Sequence, residues 1–124
     1  MSYSSEWTCS LTTPPYYFVG TKPTAILFGE ERKGVKSWRE VAHIILKQCY
    51  DENRDSLMNL RNKVIGRVRV ILSDTPDGMR RPMKIVDDMY METHYGSQTL
   101  MYILVELILK YTKFDYSNIQ IQFK

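Results

Sequence analysis

Leu100-Met101-Tyr102-Ile103-Leu104-Val105-Glu106-Leu107-Ile108-Leu109, followed after a polar break by Ile119-Gln120-Ile121-Gln122-Phe123-Lys124, decides the fold class. In the first run, Leu100, Ile103, Leu104, Leu107, Ile108 and Tyr111 recur at gaps of three and four, the period of a helix. Met101, Val105 and Leu109 form a second stripe, so Tyr102, Glu106, Lys110 and Lys113 leave only a narrow polar strip. A helix this apolar is central in its fold or covered by a second chain; the central reading is preferred. Gly96-Ser97 opens it, with Ser97 as the expected cap. In the second run the period drops to two, with Ile119, Ile121 and Phe123 inward and Gln120, Gln122 and Lys124 outward.

Working upstream, Ser37-Trp38-Arg39-Glu40 is a helix start. The Ser37 hydroxyl accepts from the amide near Glu40, and the Glu40 carboxylate can reach back. Trp38, Val41, Ala42, Ile45, Leu46 and Cys49 then share one side, while Arg39, Glu40, His43 and Lys47 face water. Asp51-Glu52-Asn53 ends this helix. Asp55 or Ser56 caps a shorter one carrying Leu57, Leu60, Val64 and Ile65, which Gly66 stops. From Arg67 to Leu72 the alternation is that of a strand, with Val68, Val70 and Leu72 on one face and Arg67, Arg69 and Ile71 on the other. Asp74-Thr75-Pro76-Asp77-Gly78 is a turn. Met83 to Val86 and Met89 to Glu92 are short strands separated by Asp87-Asp88.

Residues 1–15, rich in Ser and Thr and closed by Pro14-Pro15, read as an extended arm; residues 16–124 form a single domain. Tyr16-Tyr17-Phe18-Val19 is an aromatic strand candidate. Thr24-Ala25-Ile26-Leu27-Phe28 is a second, and residues 29–34 form a hairpin loop that returns Val35 beside it. The expected architecture is α+β: one mixed or antiparallel sheet of four or five strands against three helices.

Composition limits the function classes. The chain has 124 residues, 44% hydrophobic and 25% charged, so a rod or a wholly disordered chain is excluded. Its two cysteines, Cys9 and Cys49, are too few for a disulfide framework, which fits a reducing cytoplasm. The apolar run at 100–109 is interrupted by Glu106 and falls short of the roughly 20 residues a bilayer span needs. No membrane partner is expected.

Motifs for chemistry are sparse. His94 lies near Asp87, Asp88 and Glu92 in sequence, but a metal site needs three or four ligands in fixed geometry, and an acidic turn is the commoner use. A Cys49–His94 nucleophilic pair lacks an orienting third group. Gly29 and Gly34 lack the spacing of a phosphate loop. No cofactor, metal or catalytic residue is expected. Tyr3, Trp7, Tyr16 and Tyr17 crowd the first residues, where aromatics anchor a partner, stack on bases, or tuck the arm against its own domain.

Charge is more informative. The net charge of +3 is unevenly spread: residues 61–84 carry Arg61, Lys63, Arg67, Arg69, Arg80, Arg81 and Lys84 against Asp74 and Asp77, while residues 1–60 balance to zero. If strands 67–72 and 118–124 share a sheet, its outer face displays Arg67, Arg69, Gln120 and Gln122, with Arg80, Arg81 and Lys84 in the loop beyond. Arginine and glutamine together donate to phosphates and read polar edges, so these seven residues are the expected partner-binding or nucleic-acid-binding site. The alternative is an ordinary solvated face.

One ordered series is familiar: Phe28-Gly29, Val35-Lys36-Ser37-Trp38 leading into a helix, Leu72-Ser73, Met79-Arg80-Arg81-Pro82, Tyr90-Met91-Glu92-Thr93-His94, and the closing helix and strand. Over residues 24–124 it resembles a small α+β module at the carboxyl ends of restriction-associated and mobile-element proteins. The resemblance implies a phage, mobile-element or host-defence setting. The first expectation is therefore a non-enzymatic binding protein. It engages nucleic acid, or a nucleic-acid-handling enzyme, as accessory factor or inhibitor. The second is a homo-oligomeric module, possible as a homodimer, that uses its apolar C-terminal helix. The third is a small hydrolase using His94.

Overall fold

Two antiparallel sheets and two helices form this α+β domain, described by a computed structural model over residues 6–63 and 70–124. The larger sheet has strand order β1-β7-β2-β3, with β1 at Trp7–Ser10, β2 at Pro23–Phe28, β3 at Glu31–Gly34 and β7 at Ile119–Phe123. The smaller has order β4-β6-β5, with β4 at Leu72–Ser73, β5 at Pro82–Val86 and β6 at Met89–Glu92. The expectation of a single sheet is thus corrected, because Leu72–Ser73 and Ile119–Phe123 belong to different sheets. The first half of the expected 67–72 strand, and the sequence positions Val64 to Gly66, lie outside the described residues.

The C-terminal strand behaves as its alternation requires. Ile119, Ile121 and Phe123 are buried, and Gln120 and Lys124 are exposed. Having β1 on one side and β2 on the other makes it a central strand. The arm expected at residues 1–15 is joined to the domain from Trp7 onward: β1 pairs along its length with β7, and Leu11 is buried.

Tyr16–Val19 is not a strand. Pro15–Phe18 forms one turn of 3-10 helix, because Pro14-Pro15 hold φ where a tight turn begins. That turn swings Phe18 fully into the core, where its ring lies 4.6 Å from Trp38 and 5.4 Å from Phe123. The hairpin after β2 is tighter than expected. Phe28 pairs with Glu31, so only Gly29 and Glu30 form the turn, and Gly29 has the positive φ of 64° that such a turn favours.

Helix α1 spans Trp38–Met58, and Ser37 caps it by accepting from the Glu40 amide at 3.1 Å. The break expected at residues 51–53 is present as a kink at Asn53 (φ −142°, ψ 55°), so two of the three expected helices are one bent helix. Helix α2 begins at Ser97–Tyr102 and continues as a π-helical stretch at Ile103–Ile108 and a 3-10 turn at Leu109–Tyr111. Gly96 occupies the cap position; the Ser97 hydroxyl instead donates to the Phe18 carbonyl at 3.0 Å, tying the helix start to the 3-10 turn.

Leu100, Met101, Ile103, Leu104, Val105, Ile108 and Leu109 are all buried within the chain. The helix is therefore central; of its main apolar stripe, Leu107 is half-buried and Tyr111 is exposed. Helix α1 touches β2 of the larger sheet, β5 of the smaller and α2, so it joins the two sheets through one core. No helix among the described residues is long and apolar enough to cross a membrane.

Candidate functional site

The loop that leaves β4 and enters β5 carries Arg80 and Arg81, and its backbone is held by three residues. Glu92, on β6, is only 1% exposed; one carboxylate oxygen accepts from the Arg80 amide and the other from the Arg81 amide, both at 2.9 Å. Two backbone donors on one buried carboxylate satisfy a charge that burial would otherwise penalise. Next in sequence, Thr93 grips the Arg81 carbonyl with its amide at 3.0 Å and its hydroxyl at 2.7 Å. From α1, Arg39 donates to the Thr93 hydroxyl at 2.9 Å and to the Pro82 carbonyl at 3.0 Å. Arg39 was expected to face water; it instead ties α1 to the smaller sheet.

The clamp fastens the main chain and leaves the side chains outside. Arg80 and Arg81 are exposed, and among the described residues no carboxylate pairs with either guanidinium. Lys84 differs. On the outer face of β5, its ammonium lies 2.8 Å from Asp87, whose hydrogen bond and charge raise the lysine pKa while Asp87 is lowered in turn. Arg61, earlier in the basic segment, is used structurally: it donates to the Met58 carbonyl and, at 2.9 Å, to the Asp88 carbonyl in the β5–β6 turn.

Gln120 and Gln122 lie on the larger sheet, so they do not share a sheet face with Arg80, Arg81 or Lys84. Gln122 links polar side chains from β3, across β2, and from the neighbouring β1. Its oxygen accepts from Arg32 at 3.0 Å and its nitrogen donates to the Thr8 hydroxyl at 3.4 Å. Arg32, expected in a loop, lies on β3, and its side chain reaches across β2 to Gln122. Arg67 and Arg69 lie outside the described residues. Of the seven expected residues, Arg80 and Arg81 share the clamped loop, Lys84 lies on β5 paired with Asp87, Gln120 and Gln122 lie on the larger sheet, and two positions are not described.

A third feature lies at the end of the larger sheet. An apolar groove of about 470 Å³ is lined by Trp7, Thr8, Cys9, Thr13, Tyr17, Thr21 and Phe123. Trp7 is 69% exposed, and Tyr17, which also lines the groove, is exposed as well. Burial pushes the Cys9 thiol up from its usual pKa. Cys49, buried in α1, is pushed up to about 11, so its thiolate is scarce at neutral pH. His94 is exposed, and no group of three metal-ligating side chains occurs among the described residues.

Comparison with known proteins found nothing similar: no family model, no curated protein and no solved structure matches the chain. The functional reading consequently rests on the surfaces themselves.

Proposed function

We propose that this chain is a non-enzymatic binding protein whose cationic loop at Arg80 and Arg81 docks on the phosphates of a nucleic acid or on a nucleic-acid-handling enzyme. It acts there as accessory factor or inhibitor, in the phage, mobile-element or host-defence setting that the sequence resemblance suggests. The observation that carries this reading is the clamp: Glu92, Thr93 and Arg39 immobilise the loop backbone while both guanidinium groups remain exposed. A loop ordered before binding loses little further entropy on docking, and arginine forks suit phosphate and carboxylate oxygens alike. Lys84 contributes less, since Asp87 offsets its charge. The mechanism is occupancy and charge complementarity, with no covalent step.

The test is fluorescence anisotropy with labelled single-stranded and duplex DNA and RNA at increasing salt. Affinity should fall steeply with salt, and the Arg80→Glu, Arg81→Glu double variant should lose binding while its thermal unfolding stays unchanged. A folded double variant that binds as the wild type does would remove the loop from function. If no nucleic acid binds at low salt, the direct version fails. The enzyme-directed version then requires capture of a nucleic-acid-handling enzyme by the wild type and not by the double variant.

A further inference from the structure

We propose that two copies of this chain associate through the open edge of β1, in antiparallel register with Thr8 opposite Thr8 of the second copy. The inference is independent of the cationic loop. It begins with the two edges of the larger sheet. At one edge, β3 presents Glu31, Arg32 and Lys33, charges that resist pairing with another strand. At the other, β1 is Trp7-Thr8-Cys9-Ser10, with no charge and no proline. Among the described residues β7 is its only strand neighbour.

Hydrogen-bond accounting selects the register. The Leu11 amide donates to the Ile119 carbonyl at 2.9 Å. In an antiparallel ladder this turns the backbone groups of Trp7, Cys9 and Leu11 toward β7, and those of Thr8 and Ser10 toward the open side. The Ser10 carbonyl already accepts from the Thr13 amide at 3.0 Å. Among the described residues, no backbone group bonds the Thr8 N–H or C=O on that side. A two-fold axis between two copies of Thr8 lets each threonine exchange both bonds with the other.

The same register seats a knob in a hole. Trp7 and Cys9 lie on one face of β1, the face they share with Phe123 and Ile121. With Thr8 opposite Thr8, Trp7 of each copy comes opposite Cys9 of the other in a non-hydrogen-bonded pair, where side chains approach most closely. Cys9 lines the apolar groove, so the exposed indole of one copy meets the groove of its mate. No charge opposes its like, because Glu6 falls opposite Ser10. The occupant of the groove is thus a second copy of this chain, and Trp7 is its anchor.

Sedimentation equilibrium of the full chain, under reducing conditions and over a concentration series, tests the proposal. The expected mass rises from 14.6 kDa toward twice that value. Trp7→Glu should weaken the dimer at least about tenfold, as loss of an aromatic anchor does. Thr8→Pro, which removes the outward N–H, should do likewise. Circular dichroism checks that both remain folded, and if Thr8→Pro does not, Trp7→Glu decides, its side chain being mostly exposed. In a Cys9→Ser background, Thr8→Cys should give a disulfide-linked dimer on non-reducing electrophoresis. The Arg80→Glu, Arg81→Glu variant should dimerise as the wild type does. A single 14.6 kDa species at every soluble concentration, or a dimer indifferent to Trp7→Glu, overturns the proposal.

Discussion

The two sheets share a core but are held together differently. The larger one is organised by apolar alternation: Ile119, Ile121 and Phe123 on β7 face the same interior as Ile26 on β2, with Phe18 and Trp38 closing the end. The smaller one has short strands. Met83, Met91 and Leu72 give it an apolar side, but its connecting loop is fastened by polar groups, Glu92, Thr93 and Arg39. Apolar packing is non-directional and tolerates many sequences, whereas a carboxylate on two amides fixes a particular backbone path. The sheet that needs only to exist is held by packing. The sheet that presents two arginines is held by directed bonds.

Breaking the packing should have the larger effect. Ile121→Ala removes a fully buried side chain from the central strand, and should cost roughly 2–5 kcal/mol in denaturant unfolding, with protection against hydrogen exchange lost across the whole domain. A cost below about 1 kcal/mol would mean that this strand is not the core's centre. Breaking the clamp should be milder and local. Glu92→Ala orphans the Arg80 and Arg81 amides and should cost about 1–3 kcal/mol. Exchange should quicken at those two amides first, while β7 amides keep their protection. Uniform quickening throughout the chain would erase the distinction between the sheets.

The smallest effect belongs to the exposed pair at the tip of the smaller sheet. Asp87 titrates below its usual value because Lys84 hydrogen-bonds to it and lies beside its charge. A depressed carboxyl contributes stability above its unfolded pKa and loses it as pH falls through the folded one. Comparing thermal midpoints of wild type and Asp87→Asn at about pH 6 and about pH 2 should show a slight wild-type advantage at the higher pH only. High salt should remove it, since both groups are open to solvent. An advantage that persists at low pH would point to some other role for Asp87.

Much of the fold was legible in residue spacing. The strands at 24–28, 83–86, 89–92 and 119–123, the Ser37 cap and the break near Asn53 all follow from local pattern, because side-chain period and capping are set by neighbours in sequence. Tyr16–Val19 misled because aromatic residues favour strands, yet two prolines ahead of them dictated a turn. The division into two sheets had no local signal. Strand partners are chosen by which apolar faces meet, and a two-residue strand such as Leu72–Ser73 carries too little pattern to name its neighbour.

The candidate surfaces divide in the same way. Arg80 and Arg81 were legible as a basic pair, but Glu92 read as one acidic residue near His94 and Arg39 as a solvated helix position. Their joint grip on the loop spans contacts between residues far apart in the chain, and only folding supplies those. Arg32 beside Gln122, and Trp7 beside an apolar groove, were hidden for the same reason.

By itself the sequence determined the α+β class, the central apolar helix, the inward face of the last strand and the position of the basic loop. Each depends on the period of a few adjacent side chains or on the charge they carry. Tertiary structure alone decided that the strands form two sheets, that a buried carboxylate holds the arginine loop by its backbone, and that one sheet edge is charged while the other is uncharged. Those outcomes depend on which distant segments become neighbours once the core closes, a choice made by the whole chain's packing.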